Sequence, residues 1–399
     1  MSAPAPGQRH PAIATALSDN LAHPAKINLA MRQFQSSERA GAPCRLRAAS
    51  LIAALLCVRL AALAQVDLAV HPAPDFGSGV VWLDQNAPAP HHISGYRGQV
   101  VLIDFWEYTC INCIRDFGVL KRWYAKYHPF GLQIVGVHYG EFNVGFKVEN
   151  VREAVQRFAL PWPVVADQEG STWKAYNCSG WPTRFLIDQK GNIVMRVFGE
   201  GHDDELEAKI REVLAATHPD VSKAPSGQEP NDLRHECGVP TTETYLGEIH
   251  GASAVIDLAG HHQGEEGDFQ PPHSPPDGKV TLVGRWRVEK DGATSDGHGA
   301  AAEVRYHARS LYSVLSLAGS KPVRVYLFED GNPLPQAEAG SDVQFDAKGA
   351  YVEVTQPRMY YLVRSPAFTA HLLALQPEGS GLTVNTFTYG NNCQLEDKP

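Results

Sequence analysis

Two cysteines separated by two residues are the first feature of this 399-residue sequence that could do chemistry. They are Cys110 and Cys113, in the segment WEYTCINCIR that directly follows the apolar run QVVLIDF. Such a pair can bind zinc, exchange disulfides or fill a hydrophobic core. A structural zinc site usually has four ligands, and the sequence has no second CxxC pair to supply two of them. Zinc binding is therefore the weaker interpretation.

The residues around the pair favour redox chemistry over core packing. An apolar run that predicts a buried strand comes before the pair, and apolar residues at helical spacing follow it. These helical residues are Ile114, Phe117, Leu120, Tyr124 and Tyr127. Cys110 is thus predicted at a helix N-terminus, where unpaired N–H groups and the helix dipole lower a thiol pKa. We predict Cys110 as the nucleophile and Cys113, one turn along, as the thiol that resolves the mixed disulfide.

Composition and charge limit the class of protein. The chain is 43% hydrophobic and 20% charged, which is typical of a soluble globular protein with room for two domains. The formal net charge at pH 7 is −9. A nucleic-acid partner is not expected for such an acidic chain, because binding to phosphates requires an excess of Lys and Arg.

Residues 1–64 predict a secretion signal. Two arginines precede an apolar stretch over residues 48–64, which ends in a small-residue Ala-Leu-Ala pattern. The region before it is unusually long for a signal, so we hypothesise that translation starts at Met31. The stretch is short and is interrupted by Arg59, which favours a cleaved signal over an uncleaved membrane anchor. The predicted location is the periplasm, with the anchor as the alternative.

The remaining chain is predicted to form two domains joined by a linker. Over residues 65–218, strand-like runs such as VVLIDFW and LQIVGVH alternate with helical segments such as NVREAVQRFAL, which predicts an α/β domain. Residues 219–240 have the Pro, Ser and Gly content of a linker. Over residues 241–395, short β-rich runs separated by turn residues predict an all-β, jelly-roll-like sandwich.

Two segments resemble the thioredoxin family. VVLIDFWEYTCINCIR resembles its active-site segment, in which a buried Asp lies six residues before the nucleophilic Cys, and Asp104 holds that place. GWPTRFLID resembles the segment with a cis proline opposite the disulfide, and Pro182 matches it. The resemblance implies a thioredoxin-like fold in which Asp104 takes the proton of Cys113 and Pro182 lies beside the thiols. VENVREAVQRFALPWPVVAD would add a strand–helix insertion.

More narrowly, the region from about residue 66 to residue 390 resembles the periplasmic half of DipZ-type proteins. The segments CINCIR, VGVHYGEF and TTETYLG, followed by a β-rich tail, carry this likeness. It implies a carbohydrate-binding-module-like second domain and hence a glycan as a candidate ligand. DipZ-type proteins also carry a CcdA-type membrane electron-transfer domain, whereas a predicted signal precedes the unit here. The implied electron donor is a separate membrane protein of the CcdA or DsbD type.

Several other residues have functional and plainer interpretations. Glu107 and Glu141 would each tune the pKa of the thiols in the functional interpretation, but a solvated glutamate is favoured at both positions. Cys178, four residues before Pro182, is either a third redox thiol or an inert buried thiol. Solvated loop residues are favoured over metal ligands for His261, His262 and His273. Core packing is favoured over a sugar-stacking platform for Trp286, Tyr306, Tyr326, Tyr360 and Tyr361.

Cys237 and Cys393 bracket the predicted sandwich at its two ends. The first and last strands of such folds often lie side by side, which would bring these cysteines within the Cα separation that a disulfide requires. We therefore predict a structural disulfide between them. The alternative pairing is Cys178 with Cys237 across the linker.

These features together predict a periplasmic thiol-disulfide oxidoreductase, and specifically a reductase of protein disulfides. Its substrates would be cysteine pairs of secreted proteins or another redox protein, and no metal or organic cofactor is required. A peroxiredoxin-like thiol peroxidase is the enzymatic alternative, but the PxxxTxxC pattern is absent around Cys110. The non-enzymatic alternative is a glycan- or partner-binding protein on a thioredoxin scaffold, and the intact Cys110 and Cys113 argue against it.

Overall fold

The computed structural model describes residues 71–83, 89–225, 238–250, 253–256, 264–270, 275–297 and 299–391. The predicted signal, including Met31, lies outside these ranges. Within them, no helix combines the length and the apolar character needed to cross a membrane.

The first part of the described chain is an α/β domain built on a seven-stranded mixed sheet. Its strands are β1 (His71–Pro72), β2 (Val81–Leu83), β3 (Val100–Trp106), β4 (Leu132–His138), β5 (Val164–Ala166), β6 (Thr183–Ile187) and β7 (Asn192–Phe198). Its α-helices are α1 (Ile111–Tyr127), α2 (Val148–Arg157), α3 (Ser171–Ala175) and α4 (Asp203–Ala215). Short 3-10 helices span Ile93–Tyr96, His128–Phe130, Asn143–Phe146 and Pro219–Lys223. The strand order β1-β7-β6-β3-β4-β5-β2 puts β3 at the centre.

Strand β3 is buried along its whole length. It pairs in parallel with β4 on one edge and antiparallel with β6 on the other. Side chains alternate between the two faces of a strand, so Leu102 and Trp106 pack into the core that α1, α2 and α4 cover, while Ile103 packs into the core on the other face. Asp104 has the same parity as Leu102 and therefore shares the helix-covered face.

The predicted α/β fold class with its strand–helix insertion is confirmed. The insertion forms α2 and then β5, which pairs in parallel with β4 and extends the sheet. Val151, Ala154 and Val155 give α2 a buried face at helical spacing. The 3-10 helix after α4 buries Val221 in the same core, although this residue lies in the predicted linker.

The second part of the described chain is an all-β domain. Its strands are β8 (Thr244–Tyr245), β9 (Glu266–Phe269), β10 (Val280–Val288), β11 (Ala293–Ser295), β12 (Ala301–Leu317), β13 (Val323–Glu329), β14 (Asn332–Pro333), β15 (Gln344–Asp346), β16 (Gly349–Val354), β17 (Arg358–Pro377) and β18 (Leu382–Gly390). A 3-10 helix spans Gln336–Glu338. These strands form an 11-stranded sheet in which every strand pairing is antiparallel.

Two long strands explain why the predicted sandwich is one connected sheet. β12 has 17 residues and β17 has 20, and the two pair along most of their length. On its other edge, β12 pairs first with β10 and then with β18. The sheet surrounds a single hydrophobic core that contains Trp286, Tyr306 and Tyr360. The all-β, sandwich-like class is confirmed, and these aromatic residues are core residues as favoured from the sequence.

The cores of the two domains are continuous at one place. Tyr312, Val314 and Met359 of the β domain are buried in the core formed around α1 of the α/β domain. The Arg115 guanidinium lies 5.7 Å from the centre of the Tyr312 ring. The β domain therefore packs against the helix that begins at the cysteine pair.

Replacing Tyr312 with Ala is expected to lower the free energy of unfolding by about 3 to 5 kcal/mol, as for other large buried aromatic residues. Tyr312 is 1% exposed, and its loss would leave a cavity at the junction of the two cores. Urea denaturation followed by circular dichroism measures the change. Phe345→Ala is the control, because Phe345 is 43% exposed and should alter stability by only about 0.5 kcal/mol. Equal losses in the two variants would contradict the packing described here.

Candidate functional site

Cys110 and Cys113 lie where the chain passes from β3 into α1. Cys110 is the N-cap residue of α1, and its Sγ accepts a hydrogen bond from the backbone N–H of Cys113 at 3.3 Å. The Sγ atoms of the two cysteines are 2.6 Å apart. Cys110 is partly exposed and Cys113 is buried. The site thus presents one sulfur to a partner and keeps the second sulfur in contact with it but shielded.

Burial dominates the electrostatics of both thiols. It raises the pKa of Cys110, and the carboxylates of Glu141 and Glu243 add to the rise, while hydrogen bonding with Cys113 opposes it. Burial also raises the pKa of Cys113 well above its ordinary value, and the neighbouring Cys110 and Asp104 add to this. The predicted lowering of the Cys110 pKa is therefore wrong in direction. The helix N-terminus is present, but desolvation and the nearby carboxylates outweigh it.

Asp104 lies on β3, six residues before Cys110, and is 1% exposed. Its Oδ1 has no hydrogen-bond partner among the described residues. Burial raises the pKa of this carboxyl group to about 7, and the positive charge of Arg184 opposes the rise. A group with this pKa takes up and releases a proton near neutral pH, which is the requirement for a general acid or base at that pH.

The peptide bond between Trp181 and Pro182 is cis, as the resemblance implies. Strand β6 begins at the next residue, Thr183, which pairs with Phe105 near the end of β3. Pro182 therefore lies at the same edge of the sheet as the turn that leads to Cys110. The indole ring of Trp181 packs at 4.8 Å from that of Trp173.

Glu107 is a buried polar residue in the turn before the cysteines, and the prediction that it is solvated is wrong. It has no solvent exposure, and its Oε2 accepts hydrogen bonds from the backbone N–H of Thr109, at 2.5 Å, and from the Thr109 hydroxyl. Its Oε1 lies 3.5 Å from Nε2 of His138 on β4. The backbone carbonyl of Glu107 also accepts a hydrogen bond from Cys110 N–H at 3.2 Å. These bonds fix the turn that positions Cys110.

The prediction that Glu141 is solvated is also wrong, because this side chain belongs to a polar cluster shared by both domains. The Tyr245 hydroxyl lies 2.9 Å from Glu141 Oε1 and 2.9 Å from Glu243 Oε2. His250 Nε2 lies 2.9 Å from the same Glu141 oxygen, and the Thr388 hydroxyl donates to Glu243 at 2.7 Å. Glu243 is an exposed residue, yet desolvation of its carboxyl group and the Glu141 charge raise its pKa. The sequence gives no signal for this cluster, since most of its members come from a different domain than Glu141.

The structure does not bring Cys178 to the thiol pair. Cys178 packs against the core on the other face of the sheet, and burial raises its pKa to about 12, which favours the inert interpretation. Cys237 and Cys393 lie outside the described residues. Next to them, the Asn391 side-chain amide donates a hydrogen bond to the backbone carbonyl of Gly238. Also outside the described residues are His261, His262 and His273.

Comparison with protein families gives one match for each domain. The AhpC/TSA family matches residues 70–196. The family described as thioredoxin like C-terminal domain matches residues 241–390. The two matches together follow the division between the α/β domain and the all-β domain.

Individual proteins are similar to different lengths of the chain. The chain is 32% identical to protein DipZ of Mycobacterium bovis over 321 residues. This alignment covers 80% of the chain and 43% of DipZ. It is 30% identical to the thiol-disulfide oxidoreductase ResA of Geobacillus kaustophilus over 123 residues. This alignment covers 31% of the chain and 68% of ResA. The crystal structure of a thiol:disulfide interchange protein DsbE from Chlorobium tepidum aligns at 27% identity, covering 36% of this chain and 96% of DsbE with a TM-score of 0.31. The chain thus spans less than half of DipZ.

Replacing Glu243 with Gln is expected to lower the pKa of Cys110, because it removes one of the two carboxylates that raise it. The pH dependence of Cys110 alkylation by iodoacetamide, with the modified residue identified by mass spectrometry, measures this pKa. Glu248→Gln is the matched control, since Glu248 lies on the same segment but is not one of the two carboxylates that raise the Cys110 pKa. An unchanged Cys110 pKa in the Glu243 variant, or an equal shift in both variants, would refute the electrostatic role of the cluster.

Proposed function

Because the chain belongs to the thiol-disulfide oxidoreductase family of thioredoxin-like proteins, we propose that it reduces disulfide bonds of other proteins through a dithiol formed by Cys110 and Cys113. The observation that carries the proposal is the contact between a partly exposed Sγ at a helix N-terminus and a buried Sγ one turn along. Asp104, on the strand that leads to the cysteines, supplies a group that titrates near neutral pH.

In the first step, the Cys110 thiolate attacks one sulfur of the target disulfide. A mixed disulfide between Cys110 and the target forms, and the second target cysteine leaves as a thiolate that takes a proton from solvent. The raised pKa of Cys110 reduces the fraction of thiolate at neutral pH. It also makes the thiolate that is present more nucleophilic, since nucleophilicity rises with thiol pKa.

In the second step, Cys113 resolves the mixed disulfide. Asp104 accepts the proton of the Cys113 thiol, and the resulting thiolate attacks Cys110 Sγ. The Cys110–Cys113 disulfide forms, and the remaining target cysteine leaves as a thiolate. The target gains two electrons, and the protein loses two. Pro182, at the same sheet edge, lines the path by which the target backbone approaches.

The proposed direction is reduction. Strongly oxidising members of the wider superfamily owe their potentials to a stabilised reduced form. Here burial and two carboxylates disfavour the Cys110 thiolate, so the reduced form is not stabilised in this way. The protein therefore fits a donor of electrons to disulfides better than an acceptor.

The proposed location is the periplasm, supported by the signal-like pattern of residues 1–64. Substrates would be disulfides of secreted proteins or of another redox protein. Electrons would come from a membrane protein of the CcdA or DsbD type. A glycan ligand of the β domain also stays a prediction, and Trp286, Tyr306 and Tyr360 are too deeply buried to serve it as a stacking platform.

The proposed domain boundaries are 65–218, 219–240 and 241–395. They are supported by the two family matches, because the first match ends before the linker, at residue 196, and the second begins after it, at residue 241. We also propose a structural role for Cys237 and Cys393. The hydrogen bond between Gly238 and Asn391 supports it, because each of these residues lies within two positions of one of the cysteines.

Non-reducing peptide mapping is expected to show a disulfide between Cys237 and Cys393. Closing a loop of this length stabilises a protein by about 4 to 5 kcal/mol in the chain-entropy model, so the linkage should resist reductant. It should survive dithiothreitol concentrations that open the Cys110–Cys113 pair. A linkage of Cys178 with Cys237, or free alkylation of Cys237 and Cys393 without reduction, would contradict the assignment.

Cys113→Ser is expected to accumulate mixed disulfides through Cys110, because attack proceeds and resolution does not. Cys110→Ser is the matched variant and should trap little, since it leaves only the buried thiol of the pair. Non-reducing electrophoresis after incubation with an oxidised substrate protein measures the trapped species. Equal trapping by both variants would mean that the order of the two thiols is wrong. No trapping by either variant would remove the dithiol mechanism.

A further inference from the structure

Arg184 is an arginine with no solvent exposure inside the seven-stranded sheet. It lies on β6, directly opposite Asp104 of β3 in the antiparallel register. A buried guanidinium is costly unless it is paired and hydrogen-bonded, so its presence in a strand core calls for specific partners. Arg184 lies beside Asp104, the proposed proton acceptor of the thiol chemistry, so its partners matter for that chemistry.

The guanidinium is held in place by backbone and side-chain oxygens. Its Nη2 donates hydrogen bonds to the carbonyls of Gly199 at 3.1 Å and Gly201 at 2.8 Å. Its Nη1 lies 3.4 Å from Asp116 Oδ2 on α1 and 3.4 Å from Asp203 Oδ1 at the start of α4. The two carbonyls lie in the loop between β7 and α4. Contacts from three separate elements therefore fix the charge at one place.

One guanidinium therefore faces three carboxyl groups, those of Asp116, Asp203 and Asp104. Burial raises the pKa of Asp116 well above its ordinary value, and the charge of Arg184 opposes the rise. Burial also raises the pKa of Asp203, against the opposing charge of Arg184.

The other groups that face Asp104 do not supply a positive charge. On β4 its register partner is Gly136, which has no side chain. Helix α1 contributes the Cys113 thiol and the Asp116 carboxyl group, and neither carries a positive charge. The charge that lowers the pKa of Asp104 against the effect of burial comes from Arg184 on β6.

We propose that Arg184 is a positioning residue of the thiol chemistry: its fixed guanidinium holds Asp104 in the ionised form that accepts the proton of Cys113. The proposal rests on the proposed dithiol function. In the resolving step, the proton moves from Cys113 Sγ to the Asp104 carboxylate, and the sulfur forms its bond with Cys110 Sγ as the bond from Cys110 to the target breaks. When an electron donor later reduces the disulfide, Asp104 returns the proton to Cys113.

Arg184→Gln is expected to slow the resolving step about tenfold at neutral pH, because each unit of pKa is a tenfold change in the ionised fraction well below the midpoint. The rate should recover as the pH is raised, which a merely structural defect would not produce. Stopped-flow mixing of the reduced protein with a disulfide substrate, across a series of pH values, measures the profile. Carbon-13 NMR of the Asp104 carboxyl group measures its titration directly and should show a higher pKa in the variant.

Two further variants complete the test. Arg184→Lys keeps the charge but loses the planar fork to the two glycine carbonyls, and a loss of about two- to threefold at neutral pH is expected. Arg196→Gln is the matched control, because Arg196 is an exposed arginine on the adjacent strand β7, and its profile should equal that of the unaltered protein. Should Arg184→Gln fail to fold, the Lys variant carries the test.

The inference would be overturned if the folded Arg184 variants had the same pH profile and the same Asp104 titration as the unaltered protein. If the unaltered protein exchanges disulfides normally in that case, the proposed function stands without it. If the unaltered protein exchanges no disulfides while the Asp104 titration still moves in the Arg184 variants, the proposed function fails and the coupling of Arg184 to Asp104 is supported.

Discussion

The pairing of β3 between β4 and β6 is the constraint on which the site depends. It aligns Gly136, Asp104 and Arg184 across three adjacent strands and delivers the chain into α1 at Cys110. Both faces of β3 are covered, so a charge on it needs a partner or must be neutralised. The near-neutral pKa of Asp104 and the dense set of partners around Arg184 both follow from this burial.

Desolvation also raises the pKa values of the two thiols. The N-terminus of α1 favours a thiolate at Cys110, but burial and the carboxylates of Glu141 and Glu243 disfavour it more strongly. One of these carboxylates belongs to the α/β domain and the other to the β domain, and the Tyr245 hydroxyl contacts both. The second domain is therefore an electrostatic part of the site, in addition to packing against α1 through Tyr312.

Local patterns in the sequence were sufficient for the elements that carry the cysteines. The apolar run at residues 100–106 and the helical spacing after Cys113 predicted β3 and α1, and the resemblance to thioredoxins pointed to Asp104 and Pro182. The sequence offered Glu141 as a residue that would tune the thiols, but the contribution of Glu243 to the Cys110 pKa was not predictable, because Glu243 is far away in the chain. The partners of Arg184 were not predictable either, because only the tertiary fold shows that α1 and α4 supply them. The sequence predicted short β-rich runs in this region, whereas β12 has 17 residues and β17 has 20.

The central claim is that Cys110 and Cys113 form a reducing dithiol whose thiolate is disfavoured by burial and by neighbouring carboxylates. The reduction potential of this pair, measured by equilibration in dithiothreitol or glutathione buffers with quantification of the Cys110–Cys113 disulfide by mass spectrometry, tests it most directly. The account predicts a potential below about −200 mV, on the reducing side of the range for proteins of this fold. A potential near about −120 mV, that of a strong oxidant with a stabilised thiolate, would contradict it.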